Sequence, residues 1–193
     1  MKKEWKKYKK EKEPPRCNLK QLQQYKKNRE YFLGSTIIPF VKNKGDIIYG
    51  SRAMNIQLPK HLRRTSDDYD IWSKKPALHC DQLEDKLDKK AGCNMFIEEK
   101  KYITKAGKTT YRIRYLPSSK QEVDYTKPPK DAKIKKIKGV NYQHIKHQKK
   151  RLKEMAKDPL LAFRIEKTMR DLKTIEKAEG KQTIRLFSNE GLI

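Results

Sequence analysis

Asp67, Asp68 and Asp70 crowd between Ser66 and Ile71 in a chain where 49 Lys and Arg face 24 Asp and Glu. In "DYDIW" (68–72) acids alternate with apolar residues, the period of a strand with two faces. Asp68 and Asp70 then share one face, and Tyr69 and Ile71 take the other. Two carboxylates so close repel unless a cation neutralises them or one keeps its proton. Magnesium takes hard oxygen ligands, commonly one or two carboxylates together with phosphate oxygens of a substrate. A D-x-D strand is therefore a half-site for one or two divalent ions. "EVDYT" (122–126) offers a third acid, Asp124, with Glu122 on the same face as the alternative. Taken alone, D-x-D is a weak signal, because a solvated turn capped by Asp67 or Asp68 has the same composition.

The segment "IIYGS" (47–51) adds a second kind of chemistry. A buried apolar strand gives way at Gly50 and Ser51 to a helical turn, where unpaired backbone N–H groups and a hydroxyl can hold a phosphate. Glycine lets the phosphate approach the backbone, which a side chain would block. An ordinary strand–helix junction with Ser51 as N-cap would use the same two residues. The combination carries more weight than either part: strand, Gly-Ser, short helix, D-x-D strand, then a later strand with one more acid.

The elements that must position these groups follow from periodicity and punctuation. Asn18 caps a helix whose Gln21 reaches back, with Leu19, Leu22, Tyr25, Arg29 and Phe32 at helical spacing and Gly34 at its end. "DIIYG" (46–50) is a short strand, and "SRAMNIQL" makes one or two helical turns stopped by Pro59. Cys80, Leu83 and Leu87 form a stripe on a helix over 76–91 closed by Gly92. "NMFIEEKKYITKAGKTTYRIRYL" folds as a hairpin breaking at Ala106-Gly107, and 121–126 is another strand, stopped by Pro128 and Pro129. The remainder is expected to be helical: Tyr142, Ile145, Leu152 and Met155 form one stripe. Asp158 then caps a second helix with Pro159 at its first position and Leu161, Ile165, Met169, Leu172 and Ile175 along its core side. The expected class is α+β, a mixed sheet of about four or five strands with helices mainly on one face, followed by C-terminal helices. Residues 1–16 form a basic N-terminal extension, 17–136 the core, 137–180 a C-terminal helical segment and 181–193 a tail.

A net charge of +25 points to a polyanionic partner, nucleic acid before an anionic membrane. Residues 127–153 carry eleven Lys and Arg against the single acid Asp131. This stretch can track a phosphate backbone through Lys135, Lys136, Lys138, Lys149, Lys150 and Arg151, with Tyr142 available for stacking. Cys17, Cys80 and Cys93 form no C-x-x-C pair and indicate neither a disulfide framework nor a zinc knuckle. His144 and His147 share a helix face and with a distant Cys would make a metal site; two polar residues on a basic helix is the plainer account. No apolar run approaches the ~18 residues of a membrane span. The lead "MKKEWKKYKKEKEPPR" has no hydrophobic region after its basic run, so no secretory signal is expected. The expectation is a soluble, intracellular protein with no membrane association.

With these motifs in order, the sequence resembles the nucleotidyltransferase superfamily whose best-known member is DNA polymerase beta. That family's signature is an apolar strand ending in Gly-Ser or Gly-Gly, an Asp-x-Asp or Asp-x-Glu strand, and a third acid on a separate strand. The matching segments here are "IIYGS" (47–51), "DYDIW" (68–72) and "EVDY" (122–125). "YGSRAMNIQLP" is also similar to the corresponding stretch in nucleotidyltransferases of large DNA viruses and of AbiEii-type toxin proteins. "FRIEKTMRDLKTIE" (163–176) is similar to a Lys/Arg- and Asp-rich helix after the catalytic core of some of those compact enzymes. Sixteen residues separate Ser51 from Asp68, longer than the commonest spacing, so a loop with Pro59 and "HLRR" must be accommodated.

The resemblance implies transfer of a nucleoside monophosphate from a nucleoside triphosphate such as ATP to an acceptor hydroxyl, with release of pyrophosphate. It implies that Asp68, Asp70 and Asp124 ligate two Mg2+ (or Mn2+) ions, with Asp124 nearer the acceptor. Gly50 and Ser51 would hold the β- and γ-phosphates, and Arg52 would add charge there. The acceptor would be RNA or DNA, with a protein hydroxyl or a protein partner also open. Two other classes use the same residues: a basic nucleic-acid-binding protein of this fold without turnover, and a metal-dependent nuclease, against which the Gly-Ser argues.

Overall fold

Asn18 opens the fold by capping its own helix. Its side chain accepts from the Gln21 N–H at 2.9 Å, while the Gln21 side chain accepts from the Asn18 N–H at 2.9 Å. The computed structural model describes residues 15–103 and 109–180. Helix α1 (Leu19–Lys44) is followed by strand β1 (Ile47–Tyr49), helix α2 (Gly50–Gln57), strand β2 (Tyr69–Trp72) and helix α3 (Pro76–Ala91). Strands β3 (Phe96–Ile103), β4 (Thr109–Tyr115), β5 (Lys120–Thr126), β6 (Ile134–Ile137) and β7 (Val140–Gln143) come next. Helices α4 (Ile145–Ala156) and α5 (Ile165–Ala178) close the described chain. The expected hairpin break at Ala106-Gly107 lies outside the described residues.

The strands form one mixed sheet of seven in the order β3-β4-β5-β2-β1-β7-β6. β2 runs parallel to β5 and β1 parallel to β7, while the other neighbours are antiparallel. The class is α+β as expected, with more strands than the sequence suggested. The added pair is the β6–β7 hairpin, in a stretch expected to be linker and helix. Lys138 and Gly139 both take positive φ, 50° and 81°, between the paired Ile137 and Val140. Positive φ at both central residues is the two-residue turn whose twist matches antiparallel strands. Tyr142 accordingly sits in β7, buried in the main core, and is not offered for stacking.

Helices α1 and α3 pack on one face of the sheet through Leu33, Ile37, Val41, Leu83 and Leu87 against Ile48, Ile71, Val123 and Tyr125. α1 does not end at Gly34. It continues to Lys44 and stops at Gly45, which adopts φ 68°. Gly34 is instead a point of close approach, since a Cβ there would lie 3.3 Å from the Tyr69 hydroxyl. A second apolar cluster joins Met54 and Leu58 at α2 to Leu152, Leu172 and Ile175 on α4 and α5. Asp158 accepts from the Leu160 N–H at 3.0 Å, but the element it caps is a 3-10 turn, Pro159–Arg164, with α5 beginning after it. His144 caps α4 by accepting from the Lys146 N–H, and His147 is buried beside Gln143 and Asp131. Among the described residues no group of three His, Cys, Asp or Glu is arranged around a common ion, so the histidine–cysteine metal reading fails.

Cys17 and Cys93 form a disulfide across 76 residues, where the cysteine spacing indicated no disulfide framework, and Cys80 is buried and free. The Asn94 N–H donates to the Pro15 carbonyl at 2.8 Å, so the bridge and this bond together pin the start of α1 to the turn after α3. Closing a loop of this length restricts the unfolded chain, and removing the link should cost about 2–4 kcal/mol. We expect a reductant, or the pair Cys17→Ser and Cys93→Ser, to lower the melting temperature by several degrees without altering the far-UV circular dichroism at 20 °C.

Candidate active site

Strand register brings the two strongest acidic candidates together. Tyr49 of β1 pairs with Asp70 of β2, and Asp70 pairs with Asp124 of the parallel strand β5. Residues in register on neighbouring strands point to the same face, and Asp70 and Asp124 line one cleft. Asp68 lies one residue before β2, and its carboxylate accepts from the Gln121 side chain at 3.0 Å. Its charge acts on both other acids.

Glu122, the alternative third acid, is on the other side of the sheet. Ile113 pairs with Val123 and Arg114 with Gln121, so Glu122 has no partner in the ladder. This is a β-bulge, which resets the alternation of side chains. Glu122 is wholly buried under α1, where it accepts from the Tyr25 hydroxyl at 2.8 Å and pairs with Arg29. Its task is to anchor α1 to β5, and Asp124 remains the acid that faces Asp70.

Gly50 begins α2 at φ 70°, and a Cβ there would lie 2.4 Å from Asp70 Oδ2. Glycine is thus required twice, for backbone conformation and for the space Asp70 occupies. The Ser51 hydroxyl accepts from Arg64 at 2.8 Å, and Arg64 also pairs with Asp171 of α5 at 2.7 Å. Arg52 does not line the cleft. Its guanidinium donates to the carbonyls of Asp68 at 2.7 Å and Ser66 at 2.9 Å, pairs with Glu30 and covers the Tyr69 ring at 3.6 Å. It braces the loop before β2 from outside, so the charge expected of Arg52 comes from elsewhere.

The cleft, about 700 Å³, lies between the sheet and the α4–α5 pair. Its cations are Lys127, Arg151, Arg164 and Lys167. Arg151 also sits over the Trp72 ring at 5.4 Å, and Trp72 stacks on Tyr49 at 4.6 Å. The sequence pattern singled out Arg151 but not Arg64, Arg164 or Lys167; the signals available were "HLRR" (61–64) for the first and the Lys/Arg-rich stretch 163–176 for the other two. The remaining basic candidates do not form one track with Arg151. Lys149 is paired with Glu176 and Glu179, and Lys150 with Asp131 and Glu154. Lys135, Lys136 and Lys138 lie exposed on the β6–β7 hairpin at the sheet edge.

Burial pushes the Asp70 carboxyl up to about 7, and the neighbouring charges of Asp68 and Asp124 add to the shift, with Lys167 and Arg164 opposing it. Asp124 is also raised by burial, offset by Arg112, which donates to it at 2.8 and 3.3 Å. In this arrangement no three acids surround one point. Asp70 and Asp124, in register on neighbouring strands, are hard oxygen donors of the kind Mg2+ uses, one or two carboxylates with water and phosphate oxygens completing the shell.

No family model matches the sequence, and no curated protein matches it. The fold is one already seen among solved structures. The chain is similar to the Megavirus polyadenylate synthase, with a TM-score of 0.64 and 20% identity over 86% of this chain. The match spans 35% of the Megavirus protein, so this chain corresponds to about a third of that length. JHP933 from Helicobacter pylori aligns with a TM-score of 0.43 and 18% identity over 83% of this chain and 68% of its own.

Two outcomes are expected. Between the ordinary carboxylate range and about 7 the folded protein holds a proton on Asp70 that the unfolded chain has lost, so this group's contribution to stability falls as pH rises through that window. In chelator, the melting temperature of Asp70→Asn relative to the parent should therefore rise steadily from pH 5 to 7.5. Gly50→Ala should cost about 1–3 kcal/mol from the left-handed backbone and the displaced Asp70 carboxylate, measured by urea unfolding.

Proposed function

We propose that the chain is a metal-dependent nucleotidyltransferase that moves a nucleoside monophosphate from a nucleoside triphosphate to a hydroxyl of RNA or DNA. The observation that carries this is the register of Asp70 with Asp124, opposite the one glycine whose missing side chain makes room for Asp70. Asp68, Asp70 and Asp124 would hold Mg2+ or Mn2+, two ions in the full site. Bound there, the metal would neutralise the triphosphate and lower the pKa of the acceptor hydroxyl.

The protein's own groups supply the rest. The Gly50 backbone and the Ser51 hydroxyl hold the outer phosphates, and Arg64 orients that hydroxyl through its bond to Ser51. Lys167 and Arg164, whose field already reaches Asp70, bring positive charge to the same end of the cleft, where charge develops on departing pyrophosphate. Asp124 stands beyond Asp70 on the side of β4, which suits it to orient the acceptor hydroxyl. Arg112 holds Asp124 in place and opposes the rise in its proton affinity that burial causes. The likeness to a polyadenylate synthase makes ATP and an RNA 3′ hydroxyl the first pair to try.

Purified protein, magnesium, labelled nucleoside triphosphates and a mixed RNA and DNA pool test the reading. We expect incorporation that falls by at least about 100-fold in Asp68→Asn, Asp70→Asn and Asp124→Asn, while Arg52→Gln keeps measurable transfer. Incorporation that survives all three replacements would remove the proposal. Shortening of the labelled pool without incorporation would identify a nuclease, and salt-sensitive binding alone a non-catalytic nucleic-acid-binding protein.

A further inference from the structure

Helix α5 separates its charges by face. Glu176 and Glu179 turn toward α4, where both pair with Lys149 at 3.5 and 2.6 Å. Arg170, Lys173 and Lys177 turn the other way, are exposed, and form no ion pair among the described residues. Their spacing of three and four residues sets them in one row, about 10 Å long from first to last at the helical rise. The row borders a second cleft of about 600 Å³ between α5 and the 3-10 turn Lys60–Leu62. Leu62 and Met169 give it an apolar lining, His61 stands on the far wall, and Glu166 is the one acid along it. Nothing in the transfer chemistry uses these groups.

We propose that this groove binds single-stranded nucleic acid. Unpaired cations in a row match successive phosphates of one backbone, and an apolar lining with a flat histidine ring suits splayed bases and sugars. A folded acidic protein would meet the same charge but would have less use for the apolar strip of Leu62 and Met169 along the groove. The groove also adjoins the main cleft: Arg64, two residues from Leu62, joins Ser51 to Asp171 on the inward face of α5. A strand lying along the outer face would therefore pass close to the site without entering it. The binding goes beyond the transfer reaction and is measurable without it.

The test uses the full chain in chelator, without nucleotide, and labelled 20-residue single-stranded RNA and DNA of mixed sequence, read by fluorescence anisotropy from 50 to 300 mM salt. Three lost phosphate contacts should flatten the log–log salt dependence by about 2 and weaken binding roughly tenfold to a hundredfold at 0.1 M salt. We expect this for the combined Arg170→Gln, Lys173→Gln and Lys177→Gln variant, with an unchanged melting curve. The combined Lys135→Gln, Lys136→Gln and Lys138→Gln variant gives the comparison, and should lose less. RNA carrying 4-thiouridine should crosslink to the parent protein in the peptides of His61 or Met169. Binding within twofold of the parent in the α5 variant, loss confined to the hairpin variant, or crosslinks absent from both peptides would overturn the proposal. Equal displacement of the oligonucleotide by polyglutamate of matched length would overturn it too, and would mark the groove as a seat for an acidic protein. Because neither metal nor nucleotide is present, failure here leaves the transfer assay unaffected, and the converse holds.

Discussion

Bringing Asp68, Asp70 and Asp124 into mutual range under a layer of helices is electrostatically unfavourable, and much of the surrounding architecture answers to that constraint. Like charges in a poorly solvated cleft raise one another's proton affinity, and Asp70, the deepest, shows it most. Parallel pairing of β2 with β5 sets the separation of the acids through the backbone, where side-chain relaxation cannot undo it. Arg112 meets Asp124 from the same sheet, and Lys167 and Arg164 approach from α5. Gly50 gives Asp70 its space. The same strand carries another acid, Glu122, buried completely and neutralised locally by Arg29 and Tyr25. One acid of β5 holds α1; the other, two residues on, is kept for the cleft.

Much of this was legible in the sequence where the signal was local. The D-x-D alternation, the strand ending in Gly-Ser and the acid of "EVDY" each occupy a few consecutive residues. Their strands form close to the expected positions: Tyr69–Trp72, Ile47–Tyr49 and Lys120–Thr126. What was not legible depends on partners distant in the chain. Alternation alone puts Glu122 beside Asp124, and only the pairing of β5 with β4 reveals the bulge that separates them. Gly34 has the look of a helix stop until the Tyr69 hydroxyl is seen against it. Cys17 and Cys93 become partners only when α1 and the end of α3 meet. The β6–β7 hairpin was hidden for another reason: a lysine at positive φ is uncommon, and a run of lysines obscured the two-residue turn.

The arginines make the same point energetically. Arg52 follows the Gly-Ser directly, yet carbonyl oxygens, Glu30 and the Tyr69 ring are all nearer to it than the cleft. A guanidinium offers five donors in a rigid plane, so it settles where several acceptors already converge. The loop between α2 and β2 supplies such a place. Arg64, thirteen residues beyond Ser51, reaches that hydroxyl because the loop folds back and Asp171 holds its other edge. The long spacing between the Gly-Ser and the D-x-D is therefore not slack: it delivers Arg64 to Ser51 and Arg52 to the backbone that precedes β2.

A net charge of +25 would by itself favour ionised carboxylates, but its reach is short. Exposed charges are screened over about 8–10 Å at ordinary ionic strength, whereas burial and the nearest acids act on Asp70 at contact range through little water. The local effect wins, and the Asp70 carboxyl is raised despite the basic surface. Surface charge and site charge consequently do separate work. The acids set what can happen to a small, highly charged group brought into the cleft. Rows of cations outside it are suited to extended polyanions, which gather many weak screened contacts at once. α5 takes part in both, with Lys167 and Asp171 toward the cleft and Arg170, Lys173 and Lys177 away from it. A rigid helix that carries both sets of charge fixes the distance between them, so whatever lies on its outer face is held in a constant relation to the acids on the other side.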